Sequence, residues 1–477
     1  MEKLCNFFKN VFVVTIVIIV VMGMFRGLML NDNGYILEAA RRVSIGQVPY
    51  RDFHFMYTPG SVMLLGIFFK IFGASVFVER IVMLIFGAIG YWLIILLLND
   101  YQKNEFLSTL AALIYLVWGS LHINFAWPVM FVLPISFIFL YIFQKSFELK
   151  SNRMFYLSGI LALLILFFKQ NFGIGIILVV FISFFVNKVK TKNVFAFVGG
   201  YCSLAGIWFL YILVTQSLFA MTDDFILFNL TKIIIEKRLA TKLPLDNLFK
   251  ILIYSFPLFV NIFALVIILI KKQFKYISIV SFGIVYYLIG IRPTTDYVHL
   301  VPLLAFTGLS LYIISCNNGK LIKYFGIFII FGLIIFGAWS GFFKNYYRWN
   351  TPLVEQNDFM KDNKINIFTN TSNKERLIKT LEAIDKQTKL NNQIFVYGDA
   401  PLIQFITKSQ TPINYLSNSL LSTNEYVDIL EQIKKYSINT IVEVQFADKT
   451  TVVYDYIVKN YTPVATVSSS VIWMKNK

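Results

Sequence analysis

The chain has 477 residues, 57% of them apolar, 17% aromatic and only 14% charged, with a mean hydropathy of +0.67. That composition excludes a soluble globular protein, and repeated apolar runs of roughly 15–24 residues make it a polytopic α-helical membrane protein. The net charge of +17 divides unevenly: through Lys344 there are 28 Lys/Arg against 13 Asp/Glu (net +15), and beyond it 15 against 13 (net +2), so the basic excess marks cytoplasmic loops rather than nucleic-acid binding.

The chain begins MEKLCNFFKN and runs apolar to Leu30 without a small-residue cleavage site, which predicts an uncleaved signal anchor. Short basic loops mark the cytoplasmic side: Lys3/Lys9, 99–106, 144–153, 187–193, 271–275 and 317–324. Between consecutive loops of that set the number of crossings must be even. The rule makes 60–78 an interfacial or re-entrant helix, because Ile81–Leu98 already returns the chain to the cytoplasm. It also makes Lys169-Gln170-Asn171 the tip of a hairpin of two short spans, and it places turns at 119–128 and 291–299 outside. The sum is about eleven spans over 1–344, with the N-terminus cytoplasmic and 345–477 extracytoplasmic.

All three histidines, His54, His122 and His299, then fall outside, with Asp32, Glu38, Asp52, Glu79, Lys169, Arg292 and Asp296. So many ionisable groups on one membrane face predict a site. The first outer loop, 31–79, is the densest. Asp32 lies within about a turn of the first span and suits a general base, although an Asp or Asn before YILEAARR also reads as a helix N-cap. Lys169 and Arg292 are candidate ligands for a lipid phosphate, with membrane anchoring the plainer role for Lys169. The run 292-RPTTDYVH-299 sets Arg292, Asp296 and His299 in one turn. Cys5, Cys202 and Cys316 have no metal-site or disulfide spacing, and no Walker or dinucleotide fingerprint occurs.

The order of these features resembles a family. Asp32 stands immediately outside a signal anchor, followed by Ala40, Gly46, Pro49, Tyr50 and Asp52, a Y-x-P-G turn at Tyr57–Gly60, and Arg80 opening a span. With 168-FKQNFG-173 and the R-P-x-x-D-x-x-H-x-x-P stretch from Arg292 to Pro302, this is similar to the GT-C glycosyltransferases, the bacterial protein O-mannosyltransferase and aminoarabinose transferase group. The resemblance covers 1–345. It implies a polyprenyl-phosphate-linked sugar donor, an extracytoplasmic active site with an acceptor there (glycan, lipid or protein), and Asp32 as the catalytic residue; Asp52, His54 and Tyr57 are then substrate or structural contacts, and Lys169, Gln170, Arg292, Asp296 and His299 are the further candidate substrate contacts. The family often has a second acid beside the aspartate, where this chain has Asn33, and an acid in a later loop, where 121–128 has none. Metal-independent inverting transfer without a cofactor is therefore expected.

Beyond 345 the apolar runs stop. An amphipathic helix over 373–388, a strand at IFVYG, helices at 400–408, 424–436 and 449–460 and a strand at 438–445 predict a small α/β domain with a largely parallel sheet. Two rival functions fit the same membrane character: a lipid-linked sugar flippase or transporter, and a non-catalytic cell-envelope assembly protein.

Overall fold

The structure, a computed structural model, describes residues 2–225, 248–290, 297–344, 351–362, 364–388, 393–409, 411–417, 421–444 and 447–476. The apolar runs form helices α1 (Glu2–Met24), α4 (Val76–Tyr101), α5 (Glu105–Tyr115, continued as a π-turn through Leu121), α6 (Pro128–Leu149), α7 (Asn152–Phe168), α8 (Gln170–Val186), α9 (Thr191–Val214), α10 (Leu248–Ile270), α11 (Ile277–Gly290), α12 (Leu304–Cys316) and α13 (Lys320–Trp339). Two shorter helices, α2 (Asp32–Ser44) and α3 (Gly60–Phe72), stand between α1 and α4. Among the described residues four helices are long and apolar enough to cross a membrane by length and composition, namely α4, α6, α9 and α13 extended to Lys344. Shorter apolar helices accompany them. α5, α6 and α12 are buried almost all round, whereas α9 presents Phe195, Ile207, Phe209, Leu210 and Val214 outward, as a lipid-facing helix does. α9 lies close to α7 because Gly159 meets the Phe197 carbonyl and Gly200 the Tyr156 carbonyl, contacts no Cβ would permit.

α3 has 13 residues, about 20 Å of helix, too short for a hydrocarbon core of about 30 Å. Val62, Leu65 and Phe69 are buried while Ile67, Ile71 and Phe72 are exposed, which suits an interfacial helix. The following span begins earlier than the predicted Ile81: Ser75 caps it, its hydroxyl accepting from Val78 N at 3.1 Å, so Val76–Val78 belong to α4.

Polar contacts define the two ends of the bundle. At one, Lys145 pairs with Asp100 at 2.6 Å, Lys275 donates to the Tyr101 carbonyl at 3.3 Å, and Lys271 donates to Asn317 O and, at 2.8 Å, to Asn318 Oδ1. Four of the basic loops, 99–106, 144–153, 271–275 and 317–324, thus share this end. The other end carries α2, α3, the 122–127 turn and the α7–α8 tip.

The C-terminal domain covers that second end. It contains a two-stranded hairpin, β1 (Asp358–Met360) and β2 (Ile367–Thr369), and a four-stranded sheet of β3 (Ile394–Tyr397), β4 (Thr440–Glu443), β5 (Tyr461–Val467) and β6 (Ser470–Lys475) in the order β3-β4-β6-β5. Helices α14 (Thr371–Gln387), α15 (Pro401–Thr407), α16 (Thr423–Lys435) and α17 (Val452–Asn460) complete it. The sheet is mixed rather than largely parallel: only β3–β4 run parallel, and β4–β6 and β5–β6 are antiparallel. The cause is the two-residue turn at Ser468-Ser469, with Ser468 at φ 54°, which leaves no length for a parallel crossover. Alternation along β3 splits the core: Ile394 and Val396 join the hydrophobic core shared with the bundle, while Phe395 and Tyr397 pack with Ile429, Ile433, Val453 and Ile457.

Backbone bonds fasten this domain to the first loop. Phe368 N donates to Phe25 O and Gly27 N to Phe368 O, both at 2.9 Å; Val76 N donates to Lys364 O at 2.6 Å, Leu402 N to Leu30 O at 3.1 Å and His54 N to Asn414 O at 2.9 Å. Arg41 and Arg42 add bonds to the carbonyls of Ser409 and Ile413.

Candidate active site

α2 starts at Asp32, a partly exposed residue at the positive end of the helix dipole. Asn31 occupies the cap position, and no side chain makes a capping bond there. Asp32 and Tyr35 share a face of α2 at i, i+3 spacing. Tyr35 stacks on Phe55 with centroids 5.6 Å apart, and Tyr57 meets Tyr35, Phe55 and Trp127 edge-on. The face that carries the candidate base is therefore continuous with an aromatic wall. Burial raises the Tyr35 and Tyr57 hydroxyls above their ordinary range, so both stay neutral.

The loop from 45 to 59 turns tightly, with Tyr50 at φ 72°, and its backbone needs partners. Tyr50 N donates to Phe53 O at 2.9 Å and the Tyr50 hydroxyl to Tyr57 O at 2.7 Å. Asp52 accepts from Val48 N at 2.7 Å and pairs with Arg51 at 2.8 Å, and the Arg51 guanidinium holds its carboxyl below the usual range. Gln170 donates to Met56 O at 3.2 Å and accepts from Thr58 N at 3.4 Å. Asp52 and Gln170, expected as substrate contacts, thus also build the loop, and Tyr57 forms its wall.

Gln170 brings Lys169 beside this loop. Lys169 is 4% exposed, with Nζ 5.5 Å from the Phe172 ring centroid, and burial alone pushes its ammonium down to about 7. Among the described residues no carboxylate pairs with it. His54 Nδ1 lies 2.6 Å from Asp224 Oδ1, while Asp224 Oδ2 accepts from Phe55 N at 3.0 Å; the Tyr415 ring of the C-terminal domain stands 5.5 Å from the imidazole. His299 is half-buried in a single helical turn, Tyr297–Leu300, leading to α12. Arg292 and Asp296 lie outside the described residues. His122 is a packing residue: it stacks on Trp118, lies 2.7 Å from Val117 O and 3.2 Å from Ser340 Oγ, and is pushed down to about 4 by burial.

The structure adds Asp224 and Tyr415, which no motif singles out, and an enclosed polar cluster behind Asp32. Asn33, Glu79, Arg80 and Asn124 are all 0% exposed. Asn33 Nδ2 donates to Glu79 Oε1 at 2.7 Å, and Asn33 Oδ1 accepts from Arg80 Nη2 at 3.2 Å. The available signal was an acid–base pair, Glu79-Arg80, opening an otherwise apolar span. Among the described residues no three His, Cys, Asp or Glu side chains cluster as a metal site would.

Comparison with solved structures decides the fold. ArnT from Cupriavidus metallidurans bound to undecaprenyl phosphate superimposes with a TM-score of 0.58 at 10% identity, covering 97% of this chain and 97% of that one. Its apo state gives 0.58 at 11% identity and 98% coverage of both. The Archaeoglobus fulgidus oligosaccharyltransferase, in complex with zinc and sulfate, gives 0.51 at 10% identity over 96% of this chain and 73% of its own. The chain has the GT-C fold. No protein-family model matches the sequence, and no curated relative does. At 10–11% identity the likeness is one of fold, and it makes the chain a membrane protein with an ArnT-like helix arrangement and an appended sheet domain.

Proposed function

We propose that this chain is a cell-membrane glycosyltransferase that moves a sugar from a polyprenyl-phosphate-linked donor to an acceptor glycan, lipid or protein. The active end of the bundle and the C-terminal domain face out of the cytoplasm, a reading that the basic loops at the opposite end support. The observation that carries the reading is the buried Lys169 ammonium beside the loop that follows Asp32, at the end of a GT-C bundle. The likeness to a protein captured with undecaprenyl phosphate supports it.

In this mechanism Asp32 takes the proton of an acceptor hydroxyl, which attacks the anomeric carbon as the bond to the lipid phosphate breaks. One displacement inverts the centre. The departing phosphate already carries negative charge and needs electrostatic stabilisation more than a proton. Lys169 supplies it, and Arg292 and His299 are the further candidates that the sequence offers. Tyr57 offers the sugar an aromatic surface, and His54, with Asp224 and Tyr415, lies on the acceptor side beneath the C-terminal domain. No metal takes part, so chelator leaves the rate unchanged.

The test is reconstitution in liposomes with a panel of polyprenyl-phosphate sugars. Release of free polyprenyl phosphate, lost in Asp32→Asn, is expected. Lipid movement across the bilayer without transfer or hydrolysis would establish a flippase instead.

A further inference from the structure

Asp32 has no acid next to it in sequence, yet the side chain of its neighbour Asn33 is hydrogen-bonded to a buried carboxylate, Glu79. Glu79 and Arg80 open α4, and both are 0% exposed. Glu79 Oε1 accepts from Asn33 Nδ2 at 2.7 Å and from Ala126 N at 2.8 Å. Arg80 donates to Asn33 Oδ1 at 3.2 Å, Gly27 O at 3.0 Å, Asn124 Oδ1 at 3.2 Å and the Asn124 carbonyl. Asn124 in turn donates to Gly23 O at 2.8 Å and Arg26 O at 2.7 Å. Four pieces of chain that frame the candidate site therefore meet at one buried pair: the end of α1, the first turn of α2, the start of α4 and the 122–127 turn.

The chemistry of position 33 is specific. Its side chain must donate to one neighbour and accept from the other at once, which an amide does and a carboxylate does not. A carboxylate there would accept from Arg80 but face Glu79 at hydrogen-bond distance with no proton between them. A burial this complete tolerates neither an unpaired guanidinium nor two facing carboxylates.

We infer that Asn33, Glu79 and Arg80 form a positioning device for Asp32, in which Glu79 on α4 supplies across space, through the Asn33 amide, the single buried negative charge that the start of α2 lacks. Asp32 and Asn33 are adjacent in the first turn of α2, so whatever rotates Asn33 also moves the candidate base. The inference rests on the reading of Asp32 as base for its catalytic consequence, and on the hydrogen-bond geometry alone for its structural one.

The experiment is a charge swap in the full-length protein, comparing Asn33→Asp, Glu79→Gln and the double variant Asn33→Asp/Glu79→Gln. The double variant keeps one carboxylate and one amide at the contact, exchanged, with the new amide at position 79 turning its oxygen to Ala126 N and its nitrogen to the carboxylate at position 33. Each single variant is expected to lower kcat for donor turnover more than tenfold with KM within threefold, and to lower the thermal unfolding midpoint in detergent. The double variant is expected to recover at least tenfold in kcat over the worse single variant and to restore the midpoint. A double variant no better than the worse single one overturns the inference, and so do single variants that melt early yet turn over at the wild-type rate. Absence of turnover in the wild type with every donor tried would defeat the glycosyltransferase reading only, because recovery or non-recovery of the unfolding midpoint still decides the charge swap.

Discussion

Gly34 on α2 lies against the backbone of Leu402 at the start of α15: a Cβ there would sit 2.8 Å from Leu402 Cα and closer still to its nitrogen. That nitrogen donates to Leu30 O at 3.1 Å, so the contact is part of the joint between the bundle and the C-terminal domain. Gly34→Ala gains about 1 kcal/mol of helix propensity. Against this stands overpacking against backbone that cannot rotate away, about 1–3 kcal/mol. The net expectation is a loosened joint, seen as faster proteolytic release of the C-terminal domain at unchanged membrane insertion. Unchanged proteolysis would show that α15 can shift freely on α2.

Glu38 is 0% exposed and bound by two guanidiniums, Arg41 at 2.6 Å and Arg42 at 3.0 Å, which also hold the Ser409 and Ile413 carbonyls. Glu38→Gln leaves two largely buried cations without their counter-charge, a loss of about 3–5 kcal/mol where a buried pair is broken. Thermal unfolding in detergent should show a large drop in the midpoint, whereas the exposed pair Lys379–Glu375 should be nearly silent when broken.

Lys169 is pushed down to about 7, so the free protein carries the ammonium below that pH and loses it above. A phosphate ligand binds the charged form. Affinity for polyprenyl phosphate should therefore weaken by up to tenfold per unit as pH rises above about 7, until the ligand-bound amine itself deprotonates. Lys169→Arg, charged throughout, should flatten the profile. A profile that is already flat in the wild type would remove Lys169 from phosphate binding.

The His54–Asp224 contact, at 2.6 Å, should act as a unit. In a double-mutant cycle of His54→Gln and Asp224→Asn, coupling of roughly 0.5–3 kcal/mol is expected for groups in direct contact. The effect should fall on acceptor KM, with hydrolysis of the donor by water little changed. Additive losses, or equal losses in hydrolysis, would move the pair off the acceptor side.

Much of this was legible in the chain order. The apolar runs and basic loops pointed to the helices and to a separate apolar helix after Gly60, because hydrophobic length and loop charge are local properties, but the end of α3 at Phe72 and the start of α4 at Val76 came from the folded chain. Asp32 stands out in the sequence as the first carboxylate after the first span. The roles of Asp52 and Gln170 could not, since their partners are backbone groups whose position depends on the loop they build. The mixed sheet was missed because one short turn at Ser468 outweighs the strand–helix alternation around it.

Asn33 shows the division best. Read in sequence, it is a missing acid beside Asp32, and composition, hydropathy and loop charge together determine no more than a multi-span bundle with a polar outer face and a small α/β tail. Only the tertiary structure decides that Glu79, 46 residues further on, stands 2.7 Å from the Asn33 amide, and that Asp224 and Tyr415 meet His54. Hydrophobic patterning is summed along the chain, where the sequence displays it. The partner of a buried polar group is chosen by which helix ends come together, and that is settled when the bundle closes.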